Sequence, residues 1–432
     1  MEYNVVPELL QSNKVDESDA PIHNWYRFVL SYPPHIVRYY IDKFGLTSGQ
    51  TLLDPFSGTG TTALEGKMNG LTGWGIEANP VAKFASVTKL NWSVDPDRLY
   101  DAAHRIALKL RVEFVDSGVN DEESQFNSID QLRLKTLPPA SMKLLLKDST
   151  NPVSLHKSIR LIDLIKRTRL EVRSHLLLAA ISTIVNDVSN LRFGPEVGVT
   201  RKKSDKPILI PWLKRVTAMR NDLYTYSSKV ADKSRVILGD ARDADTYFPS
   251  NSVNGIITSP PYPNEKDYSR TTRLENVLLG YVENMLEQRQ VKKTFVRSNT
   301  RSVYKTDNDH LHVSHIQSIQ KIAKEIEAKR IKLGKTSGFE RLYHKVTLQY
   351  FGGMARHLKA CQKLLVPGSK LAYIVGDQGS YLRVMIRTGH LLAEVAEDMG
   401  YKVEDIELFR TRFATASKKE LREEALILTY NG

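Results

Sequence analysis

The segment Leu52 to Thr62, Leu-Leu-Asp-Pro-Phe-Ser-Gly-Thr-Gly-Thr-Thr, carries a short apolar run into a turn with glycines at 58 and 60. A helix-like stretch, Ala63 to Asn69, follows it. Glycine in such a turn lets the backbone approach a ligand closely. About 20 residues on, Gly73-Trp74-Gly75-Ile76-Glu77 reads as the next strand with a carboxylate at its end, where a doubly wound sheet places an acceptor for ribose hydroxyls. That order is the layout of a nucleoside-binding βαβ unit, which makes the fold class α/β. It is not a dinucleotide fingerprint, because Ala63 stands where the third glycine belongs. Nor is it a phosphate loop, because Gly66-Lys67 is followed by Met68 and Thr61 takes the place of the first glycine.

A second motif follows the mostly apolar run Val253 to Ile257: Thr258-Ser259-Pro260-Pro261-Tyr262. Two consecutive prolines fix φ and remove two N–H donors, so the loop offers free carbonyls to a substrate amine, and Tyr262 offers a face for stacking. The arrangement suits chemistry on a flat, nitrogen-bearing ring. Ser-Pro-Pro is also an ordinary way to stop a strand.

Together these residues resemble the S-adenosylmethionine-dependent amino-methyltransferases of DNA, the N4-cytosine and N6-adenine family, and the Ser-Pro-Pro-Tyr form is most similar to the N4-cytosine branch. The resemblance implies a Rossmann-like, seven-stranded, mostly parallel sheet. It also implies roles for Asp54, Pro55, Phe56, Ser57, Gly58 and Gly60 along the methionine part of the cofactor, with Glu77 holding the ribose. Val236 to Ala241 is similar to the family's adenine-binding strand, so Asp240 is expected to accept from the adenine amine, with Ala241 beside it. Phe28 to Val37, including Tyr32 and Pro33, resembles the motif that closes over the methionine, and Leu365 to Gly368 with Leu371 to Asp377 resembles the passage after the catalytic loop. The likeness spans about two thirds of the chain and speaks to chemistry more than to target. The cofactor loop precedes the catalytic loop here, whereas the N4-cytosine enzymes most commonly have the reverse order. N6 of adenine therefore stays open as a target, as do an RNA amine and a catalytically silent DNA-binding role.

The chemistry can be argued from the residues. An exocyclic amine on cytosine is a weak nucleophile because its lone pair is delocalised into the ring. Hydrogen bonds from its protons to the Ser259 hydroxyl and the Pro260 carbonyl would favour a tetrahedral nitrogen. The target base must leave the duplex stack, and Tyr262 is the expected stacking partner for the flipped base. Methylation at C5 of cytosine would instead need a thiolate. The single cysteine, Cys361, lies in an amphipathic stretch and reads as a small buried hydrophobe.

At 432 residues with a formal charge of +13, the chain has room for a full α/β domain with extra elements and suits a polyanionic partner, double-stranded DNA on this reading. One cysteine excludes a disulfide framework and fits a reducing cytosol. Met1-Glu2-Tyr3-Asn4 begins no signal sequence, and no apolar run reaches the roughly 18 residues of a membrane span, so a soluble cytoplasmic protein is expected.

Strand signals stop after Leu90 and resume at Arg235. The catalytic domain is thus read as 1–94 and 234–432, with a mainly helical insertion at 95–233 as a candidate target-recognition region. Helical spacing marks Tyr100 to Phe114, Leu155 to Arg167, Leu170 to Asn186 and Pro211 to Val230. A second excursion, 264–337, carries Arg289, Lys292, Lys293, Arg297, Arg301 and Lys305 with Phe295 and Tyr304 interleaved. Lys292, Lys293, Arg297 and Arg301 are expected to contact phosphate, as are Arg192, Arg201 and Lys202 on a loop of the insertion. Both stretches also suit solvated loops. His310, His312 and His315 match no metal-ligand spacing, and no metal is expected. Gly400 to Val403, Glu404 to Phe409, and Ala425 to Tyr430 read as strands, the last two forming an antiparallel hairpin across 410–424. No nuclease motif is evident, which would leave any cognate restriction endonuclease to a separate chain.

Overall fold

The computed structural model describes residues 6–12, 16–26, 31–121, 134–193, 197–201, 204–226, 233–263, 266–379, 381–414 and 419–432. Its strands are β1 (Thr51–Asp54), β2 (Thr72–Glu77), β3 (Leu191–Arg192), β4 (Gly198–Val199), β5 (Arg235–Leu238), β6 (Val253–Thr258), β7 (Leu365–Gly376), β8 (Lys402–Ala414) and β9 (Lys419–Tyr430). Among them β3 and β4 make a small antiparallel pair, and the other seven form one sheet in the order β5-β2-β1-β6-β7-β9-β8. Neighbours from β5 through β7 pair in parallel, and β9 runs antiparallel between β7 and β8. The expected seven-stranded, mostly parallel α/β sheet is present.

Both faces of the sheet are covered, and the strand period assigns the side chains. Leu53, Ile256, Leu371, Tyr373, Leu426 and Leu428 enter one core with the helix Tyr343–Gln362. Their alternates Leu52, Ile257, Ala372, Ile374, Ala425 and Ile427 enter another with the helix Pro34–Lys43. Such two-sided burial is why these strands read as near-continuous apolar runs.

The insertion is helical as the spacing predicts, with helices Pro96–Asp116, Pro152–Lys166, Leu170–Thr183 and Leu209–Tyr226. Sequence chemistry sets their starts: Asp95 and Asn151 cap two of them through their side chains, each with proline at the first helical position. The predicted end of the last helix, at Val230, lies outside the described residues.

The carboxyl-terminal strands differ from expectation. Lys402 to Phe409 belongs to one strand that continues to Ala414, and β9 begins at Lys419. Register shifts at Val403/Asp405 and Leu408/Arg410 break the period-two pattern and made one strand look like two. The extensions carry polar cross-strand pairs such as Arg410 with Glu423, so hydrophobicity did not announce them.

Candidate active site

In chain order the sheet grows from β1 outward to β2 and β5, then returns to the far side of β1 with β6. The carboxyl ends of β1 and β6 therefore flank the topological switch point, where open α/β sheets bind ligands. Asp54, at the end of β1, is fully buried. It accepts from the Thr258 hydroxyl at the end of β6 (2.5 Å), the Phe56 amide (3.0 Å) and the Tyr32 hydroxyl (3.2 Å). Burial pushes its carboxyl up to about 6 against the opposing effect of these hydrogen bonds. Asp54 thus lies beneath the cofactor turn and ties β1, β6 and the Tyr32 segment together. Pro33, also buried, caps the helix Pro34–Lys43, and the rest of that motif, Phe28 to Leu30, falls outside the described residues.

Above Asp54 opens a cleft of about 200 Å³ whose lining includes Tyr32, Pro55, Phe56, Ser57, Gly58, Glu77 and Ala241. Gly60 stands at φ +88°, and a Cβ there would come within 3.0 Å of the Ser86 Cβ. Gly75 on β2 leaves room for Ser57, whose Oγ would lie 2.5 Å from an added Cβ. These glycines let the turn fold down onto β2 and the following helix Pro80–Leu90. Glu77 accepts from the Gly58 amide (2.6 Å) and the Asn79 amide (2.7 Å), and burial pushes its carboxyl up to about 7. The Ser57 hydroxyl is buried in this wall without a hydrogen-bond partner.

Ser259, Pro260, Pro261 and Tyr262 line the same cleft. The Tyr262 amide donates to the Tyr268 hydroxyl (3.2 Å), and Gly376 leaves space for the Tyr262 ring, whose Cε2 would stand 3.3 Å from a Cβ there. Tyr268 and Lys266 also line the cleft, as do Ser31, Asn79 and the run Thr294 to Val296. Of these, only Ser31 falls within a motif that sequence reasoning assigned to the site. Asn79-Pro80, a helix-start signal two residues after Glu77, could have pointed to Asn79.

At the end of β5, Gly239 and Ala241 line the cleft. Asp240 spends both carboxylate oxygens on Arg242, with Nε–Oδ1 at 2.9 Å and Nη2–Oδ2 at 2.6 Å. The carboxylate expected to accept from an adenine amine thus forms an ion pair with Arg242.

The basic excursion is also corrected in part. Lys292 is 8% exposed and pairs with Asp267 (2.8 Å), while Arg297 is 3% exposed and pairs with Asp307 (2.8 Å), so neither guanidinium nor ammonium is presented to a phosphate. The segment holds helices Tyr268–Thr271, Arg273–Leu279, Met285–Lys293 and Gln317–Lys332. Lys293 and Arg301 are exposed, as are Arg192 on β3 and Arg201 beyond β4, and Lys202 lies outside the described residues. His310 meets Gln349 (2.8 Å) and His315 meets Asp398 (2.8 Å). Cys361 is fully buried, and burial raises its thiol well above the ordinary range.

The chain is 25% identical over 446 aligned positions to the type II methyltransferase M.BsoBI of Geobacillus stearothermophilus, covering 95% of this chain and 83% of that protein. It is 24% identical over 439 positions to the type II methyltransferase M.AvaI of a Nostoc species, covering 95% and 84%. The chain is thus similar over nearly its whole length to two type II methyltransferases. The similarity takes in the sheet, the insertion and the excursion alike, since nearly the whole chain is aligned. No family model matches the chain. Among solved structures, TrmN from Thermus thermophilus aligns with 92% of this chain and 48% of its own at 9% identity and a TM-score of 0.29, too low to bear on the argument.

Proposed function

We propose that this protein methylates DNA at the exocyclic N4 amine of cytosine within a short sequence, using S-adenosylmethionine, as the cytoplasmic modification partner of a separate restriction endonuclease. The observation that carries this reading is that the Ser259-Pro260-Pro261-Tyr262 loop opens onto the same cleft as Ser57, Gly58 and Glu77. The type II methyltransferases to which the chain is similar support the reaction class and a DNA substrate.

The residues present fit the cofactor. Ser57 offers a buried, unpartnered hydroxyl, and Glu77, already holding two amides, keeps lone pairs for two ribose hydroxyls. Tyr32, Pro55 and Phe56 would cover the methionine part. When bound, the cofactor supplies an electrophilic methyl group on a sulfonium. The protein's own task is to hold the amine. Ser259 Oγ and the Pro260 carbonyl accept its two protons and draw the lone pair out of conjugation, Tyr262 stacks on the flipped ring, and Pro261 keeps the loop rigid. With the cofactor bound, transfer of its methyl group to the nitrogen so held would leave a neutral thioether and release one amine proton to water. Cys361, buried and protonated, has no part in it.

N6 of adenine presents the same amine geometry, and the order of cofactor loop before catalytic loop favours it as the second reading. Mass spectrometry of nucleosides from DNA incubated with the protein and methyl-labelled cofactor tests both. N4-methylcytosine is the expected product, N6-methyladenine would transfer the reading to adenine, and DNA without label would overturn it.

A further inference from the structure

The excursion that follows the catalytic loop comes back to the cleft at its far end. Thr294, Phe295 and Val296 line it together with Gly239 and Ala241. Two buried arginines hold this stretch by its main chain. Arg242 lies between Asp240 (Nη2–Oδ2 2.6 Å) and Asp309 (Nη1–Oδ2 2.6 Å), and its Nη2 donates to the Lys293 carbonyl (2.7 Å). Arg297, paired with Asp307, donates to the carbonyls of Lys292 (3.2 Å), Lys293 (3.1 Å) and Phe295. The third support is the helix Tyr343–Gln362. A Cβ on Gly352 would stand 1.9 Å from the Asp309 carbonyl oxygen, and one on Gly353 would stand 3.3 Å from Val296 Cγ1, so the helix admits the clamp only because both positions are bare.

The sheet order says what this wall faces. Glu77 ends β2, and β5 is the next strand outward. Gly239, Ala241 and Phe295 line the same cleft as Glu77, so a nucleoside with its ribose at Glu77 would meet them if its base turned toward β5. Asp240 is not part of that wall, because Arg242 engages both of its oxygens. A carboxylate so engaged has little capacity left for a purine amine, whereas an aromatic ring beside a base can stack on it.

We propose that Phe295 covers the purine of the cofactor, and that Asp240 is a positioning residue acting through Arg242 to hold the Phe295 wall rather than an acceptor for the purine amine. This rests on the cofactor reading given above. Binding of S-adenosylhomocysteine and of its inosine analogue, which lacks the purine amine, is to be measured by calorimetry on the full chain and on Phe295→Ala, Phe295→Trp, Asp240→Asn and Asp309→Asn. Phe295→Ala should weaken both ligands roughly tenfold or more, as loss of a base–aromatic contact does, and Phe295→Trp should restore them. Asp240→Asn and Asp309→Asn should weaken both ligands alike and leave the preference between them at the wild-type ratio. In the Phe295→Trp background, S-adenosylhomocysteine should change the fluorescence of the new indole, and adding Asp309→Asn should diminish that change while wild-type circular dichroism is retained. Full affinity in Phe295→Ala, or a ligand preference abolished by Asp240→Asn but not by Asp309→Asn, would overturn the proposal and leave the cofactor reading intact. A wild-type protein that binds neither ligand would overturn the cofactor reading itself.

Discussion

Glu77 shows how burial can be turned into a measurable property. Its carboxyl sits at about 7 because burial penalises the charge, with the Gly58 and Asn79 amides pulling the other way. If the ribose hydroxyls donate to the carboxylate, ligand binding requires the deprotonated form. Affinity for S-adenosylhomocysteine should therefore rise with pH through about 7 and level off above it, with binding roughly tenfold weaker at pH 6 than at pH 8. Calorimetry across that range checks this, and Glu77→Gln should bind weakly with a flat profile. For the folding of the free protein the sign reverses. Between the ordinary glutamate value of 4.5 and about 7 the folded chain holds this proton more tightly than the unfolded chain, so Glu77 lowers stability as pH rises through that window, as do Glu275 and Glu424. On the catalytic loop, Ser259→Ala should lower turnover while leaving affinity for S-adenosylhomocysteine unchanged. Tyr262→Ala should weaken capture of the target base by roughly 1–3 kcal/mol, read from DNA binding and single-turnover rates. That Ser57, Glu77 and the Ser-Pro-Pro-Tyr loop would come together in one cleft was legible in the sequence, because each stands just beyond or at the end of a strand. Asp240 was legible at its strand end, whereas its ion pair with Arg242 was not, since a linear reading does not count a partner two residues on.

Among the elements, the excursion after the catalytic loop is where sequence and structure part most. Its charge composition reads as a phosphate-tracking loop, but charge counts do not reveal pairing. Asp267 and Asp307 lie 25 and 10 residues from Lys292 and Arg297, and the fold brings each pair together and buries it. Replacing one partner leaves the other charge buried and unpaired. Arg297→Met should cost about 3–5 kcal/mol by that mechanism, measured as a lower midpoint in urea unfolding. Lys293 and Arg301 remain exposed, so removing both together should leave stability within about 0.5 kcal/mol of wild type. If they touch phosphate, their loss should reduce the salt slope of DNA binding by roughly 1–2. An unchanged slope would return them to an ordinary solvated face. The walls built from Tyr268 and from Thr294 to Val296 had no motif to announce them, because tertiary anchoring rather than local chemistry brings them to the cleft.

For the whole molecule, the insertion at 95–233 was visible as a gap between strand signals, and the chain does leave the sheet after the helix Pro80–Leu90 and return at β5. What the sequence could not show is how thoroughly it shares its core. Leu99, Ile106, Leu161, Leu178 and Trp212 of the insertion pack in one buried cluster with Ala63, Leu64, Val81 and Ala85 of the cofactor-side helices and with Leu274 and Leu278 behind the catalytic loop. Asn79 reaches across to the Thr272 hydroxyl (2.7 Å), and Asn276 accepts from the Val81 amide (3.2 Å), so the start of the helix Pro80–Leu90 and the segment after Tyr262 are also joined by buried polar contacts. A segment whose core is continuous with that of the catalytic domain is not expected to melt by itself. Calorimetric unfolding should accordingly show one transition, with equal calorimetric and van't Hoff enthalpies, and S-adenosylhomocysteine should move that transition upward as a unit. Two resolved transitions, only the higher of them moved by the ligand, would show the insertion to be an independent domain.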